Sequence, residues 1–277
     1  MEKRKLYTTA PLPFVGQKRR FAGEFRKIIA GCPANTVFID LFGGSGLLSH
    51  IIKHDRPQAT VVYNDYDNYR QRIEAIDTTN ALLAEIRLII DGVPKGSRLP
   101  EQIAIRVLGV VRKAEKCGYV DYITLSSALM FSMKYVNSYE ELTKETMYNN
   151  MRNTPYSAEG YLDGITVVSA DYKTIFALYK DMPNAVFLID PPYLSTEVGT
   201  YTMTWRLSDY LDVLTLLQGT HYFYFTSSKS SVVELCEWIA NAKVTANPFA
   251  GAKRSERQVT MNYNSHYTDM MLYKLVG

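Results

Sequence analysis

The segment Asp190-Pro191-Pro192-Tyr193 places a carboxylate, two prolines and an aromatic ring directly after an apolar run, residues 185–189. Prolines at the end of a strand cannot continue its hydrogen-bonded ladder, so they impose a rigid turn that offers carbonyl acceptors without amide donors. The carboxylate of Asp190 and the carbonyl of Pro191 can together accept both hydrogens of an exocyclic amino group. Tyr193 can stack on the base that carries this group. The segment therefore predicts a site that presents the amino group of a nucleobase for attack on a methyl group.

A second candidate site is the glycine cluster Gly43-Gly44-Ser45-Gly46, which follows the apolar run of residues 36–41. Glycines at this position let the backbone approach a nucleotide closely. The cluster matches neither the full dinucleotide fingerprint nor a phosphate-binding P-loop. Asp40 would repel a pyrophosphate but can pair with an ammonium group, and Asp65 is placed to accept from ribose hydroxyls. The pattern favours a cationic nucleoside, with a purely structural strand-to-helix turn as the alternative.

These residues need elements that bring them together. Four apolar runs deliver an acidic residue at their carboxyl end, and the acids are Asp40, Asp65, Asp171 and Asp190. Helical spacing of apolar residues follows the glycine cluster, and a fifth strand is predicted at residues 221–226 before another helical pattern. Alternating strands and helices predict an α/β fold with a mixed, mostly parallel sheet covered on both faces. Ligands bind outside the carboxyl ends of such strands, so the four acids are expected on one rim.

The stretch from residue 77 to residue 164 breaks this alternation. Its sequence pattern predicts helices rich in Leu, Ile, Tyr and Met, with a turn between them at Gly92-Val93-Pro94-Lys95-Gly96-Ser97. We interpret it as an inserted helical subdomain. The catalytic domain is accordingly predicted from residues 1–76 and 165–277.

Composition places the chain among ordinary globular proteins, with 47% hydrophobic and 21% charged residues. The net charge of +3 is compatible with a polyanionic partner but does not demonstrate one. No signal peptide or membrane span is recognised, so a cytoplasmic protein without a membrane association is expected. Cys32, Cys117 and Cys236 are too far apart for a metal knuckle, and His50 and His54 lack a third ligand. We therefore expect no metal, and we interpret both histidines as surface residues.

Three motifs in this order resemble those of the Dam-like (D12 class) DNA adenine-N6 methyltransferases. They are the Phe-x-Gly-x-Lys element of Phe14, Gly16 and Lys18, the segment Asp40–Gly46, and Asp190–Tyr193. The resemblance implies a Rossmann-like fold that binds S-adenosyl-L-methionine, with the long insert used for target recognition. The family's cofactor contacts carry over to Phe14, Gly16, Lys18, Asp40, Phe42, Gly43, Gly44, Asp65 and Asp171. Its catalytic motif carries over to Asp190, Pro191, Pro192 and Tyr193.

The resemblance implies a site-specific DNA methyltransferase that transfers a methyl group to N6 of an adenine flipped out of duplex DNA. A cytosine-C5 mechanism is disfavoured because no cysteine lies in the setting that such a nucleophile needs. Methylation of cytosine N4 or of adenine N6 in RNA stays open, since each target has an exocyclic amine. A nucleic-acid-binding protein that keeps the fold without turnover is a further alternative, although the motif residues are all present. A nicotinamide oxidoreductase would not explain the Asp-Pro-Pro-Tyr segment.

Two groups of basic residues are candidates for contact with phosphates. One has helical spacing in the insert, and its members are Arg106, Arg112, Lys113 and Lys116. The other follows Gly251 in what we interpret as a flexible loop, and its members are Lys253, Arg254 and Arg257. Either group has an ordinary solvated surface as its alternative. The sequence leaves open the target site, the oligomeric state and a restriction endonuclease as partner.

Overall fold

The computed structural model describes residues 5–131, 134–192, 205–243, 245–262 and 265–275. The chain divides into two compact units, of which the first comprises Met1–Thr9, Gln17–Asp67 and Leu162–Gly277, and the second Ala10–Gly16 and Asn68–Tyr161. These divisions differ from the sequence-based boundaries at 77 and 164. The reason is that a short helix, Tyr69–Glu74, and the segment Ala10–Gly16 make their contacts within the second unit.

The first unit is built on a sheet in which seven strands are described. In chain order they are β1 (Val37–Asp40), β2 (Thr60–Asn64), β3 (Thr166–Val168), β4 (Ala185–Ile189), β5 (His221–Ser227), β6 (Lys253–Asn262) and β7 (Ser265–Lys274). Their order across the sheet is β3-β2-β1-β4-β5-β7-β6. The first five strands are parallel, and β7 is antiparallel to both of its neighbours. The predicted α/β class and mostly parallel sheet are confirmed.

Strand alternation divides the core of this unit between the two faces of the sheet. On β1, Phe38 packs with α1 (Ala22–Ala30) and α2 (Leu47–Asp55), whereas Val37 and Ile39 join the cluster on the opposite face. That cluster draws on three further helices, α8 (Tyr172–Tyr179), α9 (Leu207–Leu216) and α10 (Val232–Asn241). Because both faces are covered, the central parallel strands are mostly apolar up to their carboxyl ends, which is why they stand out in the sequence.

The second unit is helical over most of its described length. Its helices are α3 (Tyr69–Glu74), α4 (Ile76–Ile89), α5 (Glu101–Cys117), α6 (Tyr122–Leu129) and α7 (Tyr139–Leu142). The predicted turn at residues 92–97 separates α4 from α5. Within the described parts of the chain, no helix combines the length and the apolar character needed to cross a membrane.

A buried ion pair organises the second unit. Arg72 Nε lies 3.0 Å from Asp121 Oδ1, with side-chain exposures of 4% and 1%. A second guanidinium nitrogen of Arg72 donates to the carbonyl of Pro13 at 2.8 Å. The hydroxyl of Tyr69 hydrogen-bonds with both backbone polar atoms of Leu12. These contacts attach the segment Ala10–Gly16 to α3 and α6.

Two sequence interpretations are wrong. Lys253, Arg254 and Arg257 lie in strand β6 instead of a flexible loop, because the segment pairs along its length with β7. Arg257 also donates to Glu24 at 2.6 Å. His50 is buried instead of exposed, since its Nε2 accepts a hydrogen bond from the backbone N–H of Tyr7.

Replacing Arg72 by Met is expected to destabilise the protein by about 3–5 kcal/mol, because it leaves the Asp121 carboxylate buried without its counter-charge. Arg70→Met on the same helix is the matched control. Its ion pair with Glu74 is exposed, so its loss should cost at most about 1 kcal/mol. Urea unfolding monitored by circular dichroism measures both values. A loss for Arg72→Met no larger than that for Arg70→Met would contradict a structural role for the buried pair.

Candidate active site

The site lies where the strand order of the sheet reverses. From β1 the chain proceeds outwards through β2 to β3, then returns to place β4 on the other side of β1. Such a switch point leaves a crevice outside the carboxyl ends of its two strands. Asp40 ends β1 and Asp190 directly follows β4. By strand alternation, both residues belong to the face that α1 and α2 cover.

Asp190 forms an ion pair with Lys18, whose Nζ lies 2.6 Å from Oδ2. The side chains are 21% and 10% exposed, respectively, so the pair is largely shielded from solvent but not fully buried. Burial raises the pKa of Asp190, the Lys18 ammonium opposes this rise, and Asp269 of β7 adds to it. Lys18 thus stabilises the ionised form of a carboxylate that its surroundings would otherwise tend to neutralise.

Asp40 is almost fully buried and accepts a hydrogen bond from Ser49 Oγ of α2 at 2.7 Å. Burial raises the pKa of Asp40 to about 7, the Ser49 hydrogen bond opposes the rise, and the charge of Asp190 adds to it. A cation bound beside Asp40 would favour the ionised carboxylate. The ionisation of the Asp40 carboxyl group at the end of β1 therefore depends on whether a charged group is bound next to it.

The glycine loop requires glycine for two different reasons. A Cβ atom on Gly43 would lie 2.2 Å from two ring carbons of Tyr63 and 2.9 Å from the carbonyl oxygen of Asn64. No side chain fits in that space. Gly44 and Gly46 instead have φ angles of 49° and 70°, in the left-handed region that glycine adopts without strain. Backbone packing on β2 thus defines the loop that leads into α2.

Side chains at the end of β2 hold this loop, and sequence reasoning singled out only Asp65 among them. The Tyr63 hydroxyl lies 2.7 Å from the Gly44 carbonyl and 3.1 Å from Asp65 Oδ1. Asn64 is buried and donates to the Leu41 carbonyl at 2.9 Å. A polar residue at the end of an otherwise apolar run could have marked Asn64 as unusual, although it does not reveal the partners of its side chain.

Phe42 and Asp171 occupy the same carboxyl edge of the sheet. The ring of Phe42 packs against those of Tyr172 and Trp205, with centroids 4.9 and 5.7 Å apart. Asp171 is exposed and caps α8 by accepting from the backbone N–H of Lys173 at 2.8 Å. The carboxylate of Asp171 therefore stabilises the amino end of α8.

The remaining predicted residues divide into three groups. Pro191 and Pro192 are buried immediately after Asp190, as expected of a turn at a strand end. Tyr193 lies outside the described residues. Phe14 and Gly16 belong to the second unit, where Phe14 packs edge-on against Tyr69 and Gly16 has a φ of 85°. Among the residues that the structure describes, no group of three or more His, Cys, Asp and Glu side chains could hold a metal ion.

The family of the chain follows from comparison with known proteins. Residues 14–212 match the profile of the D12 class N6 adenine-specific DNA methyltransferases. The chain belongs to this family. The match runs from the Phe-x-Gly-x-Lys element to helix α9, so it includes the glycine loop, the inserted segment and the Asp-Pro-Pro-Tyr segment. The resemblance seen in the three motifs is confirmed.

A relative from Haemophilus influenzae, named "Putative methyltransferase", is 35% identical over 99% of this chain and 95% of its own length. Two solved structures share weaker similarity. The tRNA m1G37 methyltransferase of M. jannaschii is 12% identical with a TM-score of 0.33, and the match covers 92% of this chain and 49% of that one. The rRNA methyltransferase AviRa of Streptomyces viridochromogenes is 16% identical with a TM-score of 0.36, over 97% and 88% of the two chains.

Gly43→Ala is expected to destabilise this methyltransferase by about 1–3 kcal/mol, because the added methyl group overlaps the ring of Tyr63. Gly23→Ala in α1 is the control, since a Cβ there meets no atom within 4 Å and alanine favours the helix. Urea unfolding measures both changes. In a Tyr63→Leu background the cost of Gly43→Ala should fall, and an undiminished cost would exclude the ring as its cause.

The raised pKa of Asp40 predicts a specific pH dependence of stability. The unfolded carboxyl group loses its proton near pH 4 and the folded one near pH 7, so the folded state binds more protons between these values. Stability from this group therefore falls as the pH rises through that window. Relative to the wild type, Asp40→Asn should become progressively more stable in urea unfolding between pH 5 and pH 7.

Glu24→Gln provides the control for this measurement. The Ser255 hydrogen bond and the Arg257 contacts lower the pKa of Glu24, so this carboxylate is largely ionised in both the folded and the unfolded state from pH 5 upwards. The stability difference between Glu24→Gln and the wild type should consequently change little from pH 5 to pH 7. A constant difference for Asp40→Asn as well would show that Asp40 is ionised in the folded protein throughout this range.

Proposed function

We propose that this methyltransferase transfers the methyl group of S-adenosyl-L-methionine to N6 of adenine in DNA. The observation that carries the proposal is the Lys18–Asp190 ion pair next to Asp40 at the switch point of the sheet. The family adds the chemical class of the target. Asp190, Pro191, Pro192 and Tyr193 are the proposed residues for binding the target base.

The residues around the glycine loop fit the proposed cofactor. Gly43 and Gly44 form a backbone surface without side chains, and Asp40 is a buried carboxylate at its start. Asp65 is a second buried carboxylate at the end of the adjacent strand. Two acids beside a glycine loop suit a positively charged nucleoside with ribose hydroxyls better than a dinucleotide phosphate. We assign Lys18, Phe42 and Asp171 to the same site. Phe14 and Gly16, which belong to the second unit, stay predicted cofactor contacts by resemblance alone.

When bound, S-adenosyl-L-methionine supplies an activated methyl group on a sulfonium centre. The contribution of the chain is then mainly positioning. The ionised Asp190 and the carbonyl of Pro191 accept the two hydrogens of the target amino group, which keeps electron density on its nitrogen. Burial raises the pKa of Asp190, and Lys18 opposes this rise and so favours the ionised state that can accept. The buried prolines fix the backbone that bears both acceptors.

For the second unit we propose target recognition, in the range predicted as residues 77–164. Its helix α5 presents Arg106, Arg112 and Lys113 to solvent, where they can contact phosphates of duplex DNA. The Arg112 side chain also pairs with Glu115, so its positive charge is partly compensated. The adenine would be flipped out of the duplex to reach Asp190. A restriction endonuclease as partner stays a prediction from the sequence.

The deciding experiment is transfer of a labelled methyl group from S-adenosyl-L-methionine to unmethylated duplex DNA, followed by nucleoside analysis. We expect labelled N6-methyladenine. Asp190→Asn should lower kcat by about 10²-fold or more while leaving cofactor affinity within about 3-fold, because an amide oxygen is an uncharged and therefore weaker acceptor for the amino hydrogen. Asp55→Asn, at the other end of α2 from the glycine loop, should keep full activity.

The alternatives are outcomes of the same assay. Labelled N4-methylcytosine would show the same type of methyl transfer with cytosine as the target base. Label in RNA alone would show that the substrate is RNA instead of DNA. Cofactor binding without transfer to either polymer would overturn the proposed activity in favour of a binding protein. Equal transfer by Asp190→Asn and the wild type would remove Asp190 from the catalytic assignment.

A further inference from the structure

The buried amide of Asn64 connects three strands at the carboxyl edge of the sheet. From the end of β2, Nδ2 donates to the carbonyl of Leu41 after β1, at 2.9 Å, and to the carbonyl of Ala170 after β3, at 3.0 Å. Oδ1 accepts from the backbone N–H of Ala170 at 3.1 Å. Asn64 is 2% exposed. One side chain therefore sets the separation between the starts of two loops.

The loops it joins carry residues assigned to the cofactor. Leu41 directly precedes Phe42 and Gly43, and Ala170 directly precedes Asp171. The backbone supports this connection, because the N–H of Asp65 donates to the carbonyl of Val168 at 2.7 Å. Without the Asn64 amide, the Leu41 carbonyl and both polar groups of Ala170 would lose a buried partner.

The neighbouring side chain holds the same loop from the other face of the sheet. Asn64 and Tyr63 point to opposite faces because they are consecutive on β2. The Tyr63 ring lies beneath Gly43, and its hydroxyl is within 2.7 Å of the Gly44 carbonyl. The start of the loop is thus bonded to Asn64 and its middle rests on Tyr63.

We propose that Asn64 is a positioning residue for cofactor binding, which acts by fixing Phe42 and Gly43 relative to Asp171. The proposal rests on the function proposed above. It assigns Asn64 no contact with the cofactor and no part in the methyl transfer. Its loss should consequently weaken cofactor affinity without changing the rate of the chemical step at saturation.

The test uses calorimetric titration of the full chain with S-adenosyl-L-methionine and with S-adenosylhomocysteine. Asn64→Leu replaces the amide by an apolar group of similar size, and we expect about a 10-fold or larger rise in Kd for both ligands. In steady-state assays KM for the cofactor should rise similarly, while kcat and KM for DNA stay within about 3-fold of the wild type. Asn64→Ser, which keeps one hydroxyl donor, should fall between the two and serves if Asn64→Leu does not fold.

Thr36→Val is the matched control for a general loss of stability. Thr36 is buried beside the amino end of β1, and its hydroxyl donates to the Pro33 carbonyl at 2.8 Å. Removing that bond at the opposite edge of the sheet should lower the melting temperature without changing the cofactor Kd. A Kd of Asn64→Leu within 3-fold of the wild type, or an equal rise for Thr36→Val, would overturn the positioning role alone. A wild type that binds neither ligand would overturn the proposed function as well.

Discussion

The ion pair between Lys18 and Asp190 is the interaction on which the candidate site depends. Asp190 follows the central strand β4, where burial and the charge of Asp269 both raise its pKa and favour its neutral form. A neutral carboxyl group carries a donor hydrogen and no negative charge, so it would be a weaker acceptor for a hydrogen of the amino group. Lys18 opposes this at 2.6 Å. The ionised Asp190 in turn raises the pKa of Asp40 on the adjacent strand, so the three groups form one electrostatic unit.

The alternation of side chains along the strands determines which residues at the carboxyl edge of the sheet contact the charged groups and which contact the glycine loop. Asp40 and Asp190 occupy positions that face α1 and α2, where Ser49 of α2 can reach Asp40. On β2 the same alternation sends Tyr63 to one face and Asn64 to the other, so that both hold the loop after β1. Gly43 is confined between them. A short glycine-rich loop can therefore be held in one conformation, because contacts with its neighbours add to its own hydrogen bond from the Gly46 N–H to the Gly43 carbonyl.

Much of this architecture could be predicted from the sequence because the central strands are buried on both faces and read as apolar runs. The run at 185–189 coincides with β4, and the acids at the strand ends lie on one edge as expected. Strand β6 could not be recognised in this way, since Lys253 and Arg257 give an edge strand the appearance of a polar loop. The burial of His50 depends on the backbone of Tyr7, a contact between distant residues that local periodicity does not encode. Asn64 was missed for the same reason, because its partners follow two other strands.

The Phe-x-Gly-x-Lys element shows why a motif that matches as one unit need not act as one unit. Phe14 and Gly16 belong with the segment that Arg72 and Tyr69 hold in the second unit, whereas Lys18 belongs to the first unit and pairs with Asp190. Only two peptide bonds separate Gly16 from Lys18. The two ends of the motif are therefore held by different interactions, a buried guanidinium on one side and a carboxylate on the other.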